Sequence, residues 1–112
     1  MGNAIRLLAL ALLLPGALST AVAADLPVFR LELNDGKISS HQINVPAGVR
    51  FKIEIVNKGK TAAEFESLQL RKEKVLAPGA DSFVVLGPLS PGQYKFYDEF
   101  HMATTQGVIV VK

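Results

Sequence analysis

From Pro27 onward the sequence predicts an all-β fold, a sandwich or barrel of about seven or eight short strands. Three observations predict it. Apolar residues alternate with polar ones, Gly, Pro and Asn interrupt the runs at short and fairly regular intervals, and no useful length of helical periodicity follows residue 24.

The first strand is Val28-Phe29-Arg30-Leu31-Glu32-Leu33, closed by the turn signal Asn34-Asp35-Gly36. A second strand is expected over residues 38–45, ending at Pro46-Ala47-Gly48. Arg50 to Ile55 alternates cleanly, which sends Phe51, Ile53 and Ile55 into a core and the charges into water. Asn57-Lys58-Gly59-Lys60 turns the chain into Thr61 to Leu70, where Glu64, Glu66, Leu68 and Leu70 share one parity. A regular strand burying both leucines would also bury both glutamates, so a bulge is expected, or the glutamates face the end of the sandwich. Arg71 to Leu76 is charged and reads as an edge strand, and Ser82 to Leu86 is the next strand. The last strands are Gly92 onward and the apolar run Val108 to Val111.

The 112 residues carry a formal net charge of +2 and no cysteine. Residues 1–24 read as a secretory signal peptide: Arg6 is their only charge, Leu7 to Leu14 is unbroken apolar sequence, and Ala21-Val22-Ala23 or Val22-Ala23-Ala24 offers small residues for cleavage. The apolar run, broken at Pro15-Gly16, falls short of the roughly 20 residues of a membrane span. Export to the periplasm is the expectation, leaving residues 25–112 as one domain with a net charge near +1. No basic cluster interleaved with aromatics points to nucleic acid. Without cysteines the domain depends on packing, or on packing and a metal.

Tyr94 and Phe96 have the parity of core residues, and Asp98 continues their row. A carboxylate at the end of an inward row is costly unless that end is solvated or holds a cation. Asp98, Glu99 and His101 follow one another closely, Met102 adjoins them as a soft ligand or a rim residue, and Glu64 and Glu66 are the other acids whose parity is suspicious. Tyr97 belongs to the outer face, and His41 reads as a surface residue.

Three segments in order resemble the cupredoxin-like superfamily: Ile43-Asn44-Val45-Pro46-Ala47-Gly48; Asn57-Lys58-Gly59 with Ala63-Glu64-Phe65-Glu66; and Pro91-Gly92-Gln93-Tyr94-Lys95-Phe96 with His101 and Gly107 to Val111. The resemblance implies a Greek-key β-sandwich. In copper-binding members a His follows the N-x-G turn, and Cys, His and often Met lie between the last two strands. Carried over, Glu64 falls at the first His, Asp98 at the Cys and His101 at the second His, while Thr105 stands near the Met. Blue copper requires a thiolate, so the resemblance stops short of that centre.

Within the superfamily, A-E-F-E-S, F-x-D-E-F-H and the segment Arg71 to Gly79 resemble small periplasmic proteins that accompany oxidase-dependent ferrous iron permeases. That resemblance implies an accessory protein binding iron or Cu(II), with Glu64, Glu66, Asp98 and His101 as ligands and Glu99 and Met102 beside them. Its implied partners are an inner-membrane iron permease and other periplasmic iron-uptake components, and a homodimer stays open. Two other classes compete: a ferroxidase, and a metal-free β-sandwich that docks on a membrane partner through its loops.

Overall fold

Alternation along the chain becomes two packed sheets, because each strand has one apolar face to bury. The structure is a computed structural model that describes Gly2 and residues 25–112. The expected leader and its cleavage sites therefore lie, Gly2 apart, outside the described residues. Among the described residues no helix is long and apolar enough to cross a membrane.

The strands are β1 (Val28–Asn34), β2 (Lys37–Ile38), β3 (Gln42–Val45), β4 (Phe51–Asn57), β5 (Ala63–Ser67), β6 (Lys72–Leu76), β7 (Asp81–Leu86), β8 (Gly92–Asp98) and β9 (Gly107–Val111). One sheet has the order β2-β1-β4-β7 and the other β3-β9-β8-β5-β6. Two pairs are parallel, β1 with β4 and β3 with β9, and every other pairing is antiparallel. Leu31, Leu33, Phe51, Ile53, Ile55, Phe65, Phe96 and Ile109 meet between the sheets, each at most 1% exposed.

The Asn34-Asp35-Gly36 signal forms the tight β1–β2 turn, with Asp35 at φ 45° and Gly36 at φ 89°, the left-handed pair that a two-residue hairpin requires. β6 is an edge strand, as its charges predicted. Asn57, 1% exposed, pins the next turn: its Nδ2 donates to Thr61 O (2.9 Å) and Leu76 O (3.1 Å), and its Oδ1 accepts from Gly59 N (2.9 Å).

Two expectations are corrected. The strand predicted over residues 38–45 is two strands in different sheets, β2 and β3. Serines make the break possible: Ser39 Oγ accepts from Glu32 N (2.9 Å), and Ser40 Oγ donates to Gln42 O (2.6 Å), so the backbone leaves one ladder for the other with polar groups satisfied. The parity problem in residues 63–70 also dissolves without a bulge. Ala63 and Phe65 face the core, the strand ends at Ser67, and Leu68 is 69% exposed in the following turn. Glu64 and Glu66 therefore face outward from the five-stranded sheet.

Phe96 shows how closely the end of this sheet is packed. Its ring stacks on Phe65 with centroids 5.6 Å apart and lies directly over Gly107, its cross-strand partner. A Cβ at Gly107 would collide with three atoms of that ring. Gly107→Ala should destabilise the fold by about 2 kcal/mol through overpacking. Urea unfolding checks this, and a midpoint equal to wild type would show that the ring can yield.

Candidate metal centre

Asp98 ends β8 with its carboxylate at 1% exposure. Three donors satisfy it there. Oδ1 accepts from Glu64 N (2.9 Å) and Phe100 N (3.1 Å), and His101 Nδ1 donates to Oδ2 (2.8 Å). As the N-cap of the 3-10 helix Glu99–Thr104, Asp98 uses the same oxygen to start that helix and to hold the beginning of β5. Thr105 Oγ1, fully buried, accepts from Asp98 N (2.9 Å) and donates to His101 O (2.8 Å). Beyond His101, its Nε2 lies 3.4 Å from Thr61 Oγ1, and that hydroxyl donates to Asp35 Oδ1 (2.6 Å). Hydrogen bonds from Thr61 and from the backbone of Lys60 and Thr61 hold the Asp35 carboxyl below its usual range.

On the other face of β5 the chemistry reverses. One carboxylate oxygen each of Glu64, Glu66 and Glu99 lies within 4.8 Å of the other two. Glu64 is 8% exposed and Glu66 9%, and Glu66 Oε2 is buried with no hydrogen-bond partner. Among the described residues none of these glutamates has a basic partner. Burial, then the Glu99, Glu66 and Glu73 carboxylates, pushes Glu64 up to about 7. Burial, then Glu73 and Glu99, raises Glu66 as well. Burial, then Glu66, Glu99 and Glu64, raises the Tyr97 phenol, which stands across from Glu66 in the β5–β8 register.

Of the six residues expected at one site, the fold brings Glu64, Glu66 and Glu99 together on the outer face. Asp98 and His101 bond each other on the inward side, and Met102 is exposed with its carbonyl taken by Gln106 Nε2. Glu64 contributes its amide to Asp98 and its carboxylate to the opposite face, which is how one strand serves both clusters. Glu73, directly across from Glu66 on β6, escaped the sequence reading because only the strand register reveals it. His41 is exposed, as expected, with Nδ1 2.8 Å from Gln106 O.

A family model for the cupredoxin-like domain matches residues 5–111. The chain belongs to the cupredoxin-like domain family. An uncharacterized protein of Rickettsia prowazekii (strain Madrid E) is 34% identical over 82 residues, which are 73% of this chain. The match spans 66% of that protein, just under two thirds of its length. Solved cupredoxin-like structures share the fold at low identity. The dithionite-reduced auracyanin of Roseiflexus castenholzii superposes with a TM-score of 0.65 at 14% identity, covering 76% of this chain and 96% of that one. The metal-binding domain of the Cu(I)-exporting P-type ATPase CopA of Streptococcus pneumoniae D39, solved with Cu(I), gives 0.67 at 14% identity, covering 76% and 84%. A purple cupredoxin from Nitrosopumilus maritimus gives 0.57 at 16%, covering 75% and 99%.

A blue-copper centre does not fit these residues. There is no cysteine for the thiolate, and Asp98, which the family resemblance places at the thiolate position, has its lone pairs engaged by two amides and an imidazole. The outer carboxylates are all-oxygen donors with an unpartnered, buried lone pair, which suits a hard cation.

Two outcomes are expected. Asp98→Ala strands two amides and the His101 ring and should cost about 3 kcal/mol of stability, measured by denaturant unfolding. For pH, the metal-free folded state keeps a proton on Glu64 that the unfolded chain releases from 4.5 upward, so this group's contribution falls as pH rises from 4.5 to about 7 and then levels off. Thermal unfolding across that range should drop less in Glu64→Gln than in wild type, and parallel curves would contradict the assignment.

Proposed function

We propose that this protein is an exported metal-binding accessory of bacterial ferrous iron uptake, carrying iron or Cu(II) on Glu64, Glu66 and Glu99. The observation that carries the reading is Glu66 Oε2: a buried oxygen with no partner, on a carboxylate grouped with two others that have no basic residue to neutralise them. A cation supplies both the missing bond and the missing charge. Asp98 and His101 then serve as frame, tying the backbone of Glu64 to the segment bearing Glu99.

The exporter domain of Streptococcus pneumoniae shows this sandwich serving Cu(I). Here the absence of thiols and the carboxylate donors favour harder ions. The iron-uptake role is supported by the resemblance of the A-E-F-E-S and F-x-D-E-F-H segments, which carry these same glutamates, to the permease-associated proteins. Iron is the cargo in this reading, and an inner-membrane permease receives it.

Calorimetric titration of the domain with Fe(II) without oxygen, and with Cu(II) in air, tests the binding. Wild type should take up one of these ions, and Glu66→Gln should weaken uptake by about tenfold or more. Absence of heat and of thermal stabilisation with both ions, or uptake undiminished in Glu66→Gln, would overturn the reading.

A further inference from the structure

The register of β5 and β6 sets Glu66 directly opposite Glu73, both on the outer face of the sheet. Like charges in directly opposed positions destabilise a sheet. Nothing among the described residues compensates this pair, since neither glutamate has a basic partner within ion-pair distance. The opposed pair adjoins the Glu64, Glu66 and Glu99 cluster, and Glu66, with its unpartnered buried oxygen, belongs to both. Glu73 is exposed on an edge strand, outside the compact triad, where its side chain is free to swing toward a cation held by Glu66.

We propose that Glu73 is a fourth carboxylate ligand and that the site selects hard trivalent cations over soft or divalent ones. The inference rests on the metal-binding reading above and extends it to the class of ion. When all four carboxylates coordinate an ion as anions, with no internal counter-charge, their combined charge exceeds that of a divalent ion. A trivalent ion with a preference for oxygen and a coordination number above four matches both the charge and the donor set, and water completes its shell. Within iron handling the matching species is Fe(III). The three buried or tightly grouped oxygens dock the ion, and Glu73 closes over it from the β6 edge.

Terbium(III) is the probe, because Tyr97, across from Glu66, can sensitise its emission and because the decay in light and heavy water reports the number of bound waters. Titrations of wild type, Glu73→Gln, Glu66→Gln and a surface control, Glu32→Gln, are followed by emission, with competition by Ca(II), Zn(II) and Fe(III). Thermal unfolding of the metal-free variants verifies folding; Glu73 is exposed and its replacement relieves a like-charge pair, so the midpoint should stay at or somewhat above wild type.

Glu73→Gln should weaken Tb(III) by about tenfold and admit about one more water, while Fe(III) displaces the probe far better than Ca(II) or Zn(II). Unchanged affinity and hydration in Glu73→Gln, with binding lost in Glu66→Gln, would overturn the fourth ligand while leaving the triad standing. Binding of Fe(II) or Cu(II) without binding of Tb(III) would overturn the trivalent preference. No binding of any of these ions would overturn the underlying reading itself.

Discussion

The Asp98 carboxylate is the constraint on which this end of the sandwich depends. It is buried, and its bonds reach two separate pieces of chain: the start of β5, and the 3-10 helix, which it holds through both the Phe100 amide and the His101 ring. Each piece would otherwise bring an unsatisfied polar group inside. The same bonds carry outward. His101 reaches Thr61, Thr61 holds Asp35, and Asp35 anchors the β1–β2 turn against the β4–β5 turn, so loops from both sheets are fastened to one another. The carboxylate that the family resemblance sets at the thiolate position is here closed off by an imidazole and two amides.

The closed interior and the open exterior are consequences of one another. Because Oδ1 of Asp98 fastens both the Glu64 amide and the helix that begins with Glu99, the side chains of Glu64 and Glu99 are set beside each other on the far side of the strand. Their mutual repulsion, and that of Glu66, is tolerated because the backbone holding them is secured elsewhere. Preorganised repulsion of this kind gives a cation more to gain than a set of flexible surface carboxylates would, since no ordering of the backbone remains to be done on binding.

Much of the fold was legible because its signals are local. Alternation in Phe51, Ile53 and Ile55 and the Asn34-Asp35-Gly36 turn depend on a few adjacent residues, and both appear in the structure. The errors arose where distant residues decide. Glu64, Glu66, Leu68 and Leu70 share a parity, but the strand stops at Ser67, and Ala63 and Phe65 take the core face against Phe96, a partner far along the chain. The Ile38 to Val45 run breaks because Ser39 and Ser40 replace the ladder with their own bonds. The candidate site follows the same rule. Asp98 was flagged by the cost of burying a carboxylate, yet its partners include a backbone amide that no sequence pattern marks, and Glu73 joins Glu66 only through the β5–β6 register.

The position of β9 bears on when such a site comes into being. β9 lies inside the five-stranded sheet, between β3 and β8, and its Gly107 provides the space that the Phe96 ring occupies. Strands made early in the chain therefore wait for Gly107 to Val111 before that sheet can close, and such long-range pairing is slow to form. Until it closes, Phe65 and Phe96 lack their shared packing, and neither Asp98 nor the glutamates outside it hold their places. A nascent or partly folded chain thus keeps Glu64, Glu66 and Glu99 apart, and the three carboxylates come together only when the last strand docks.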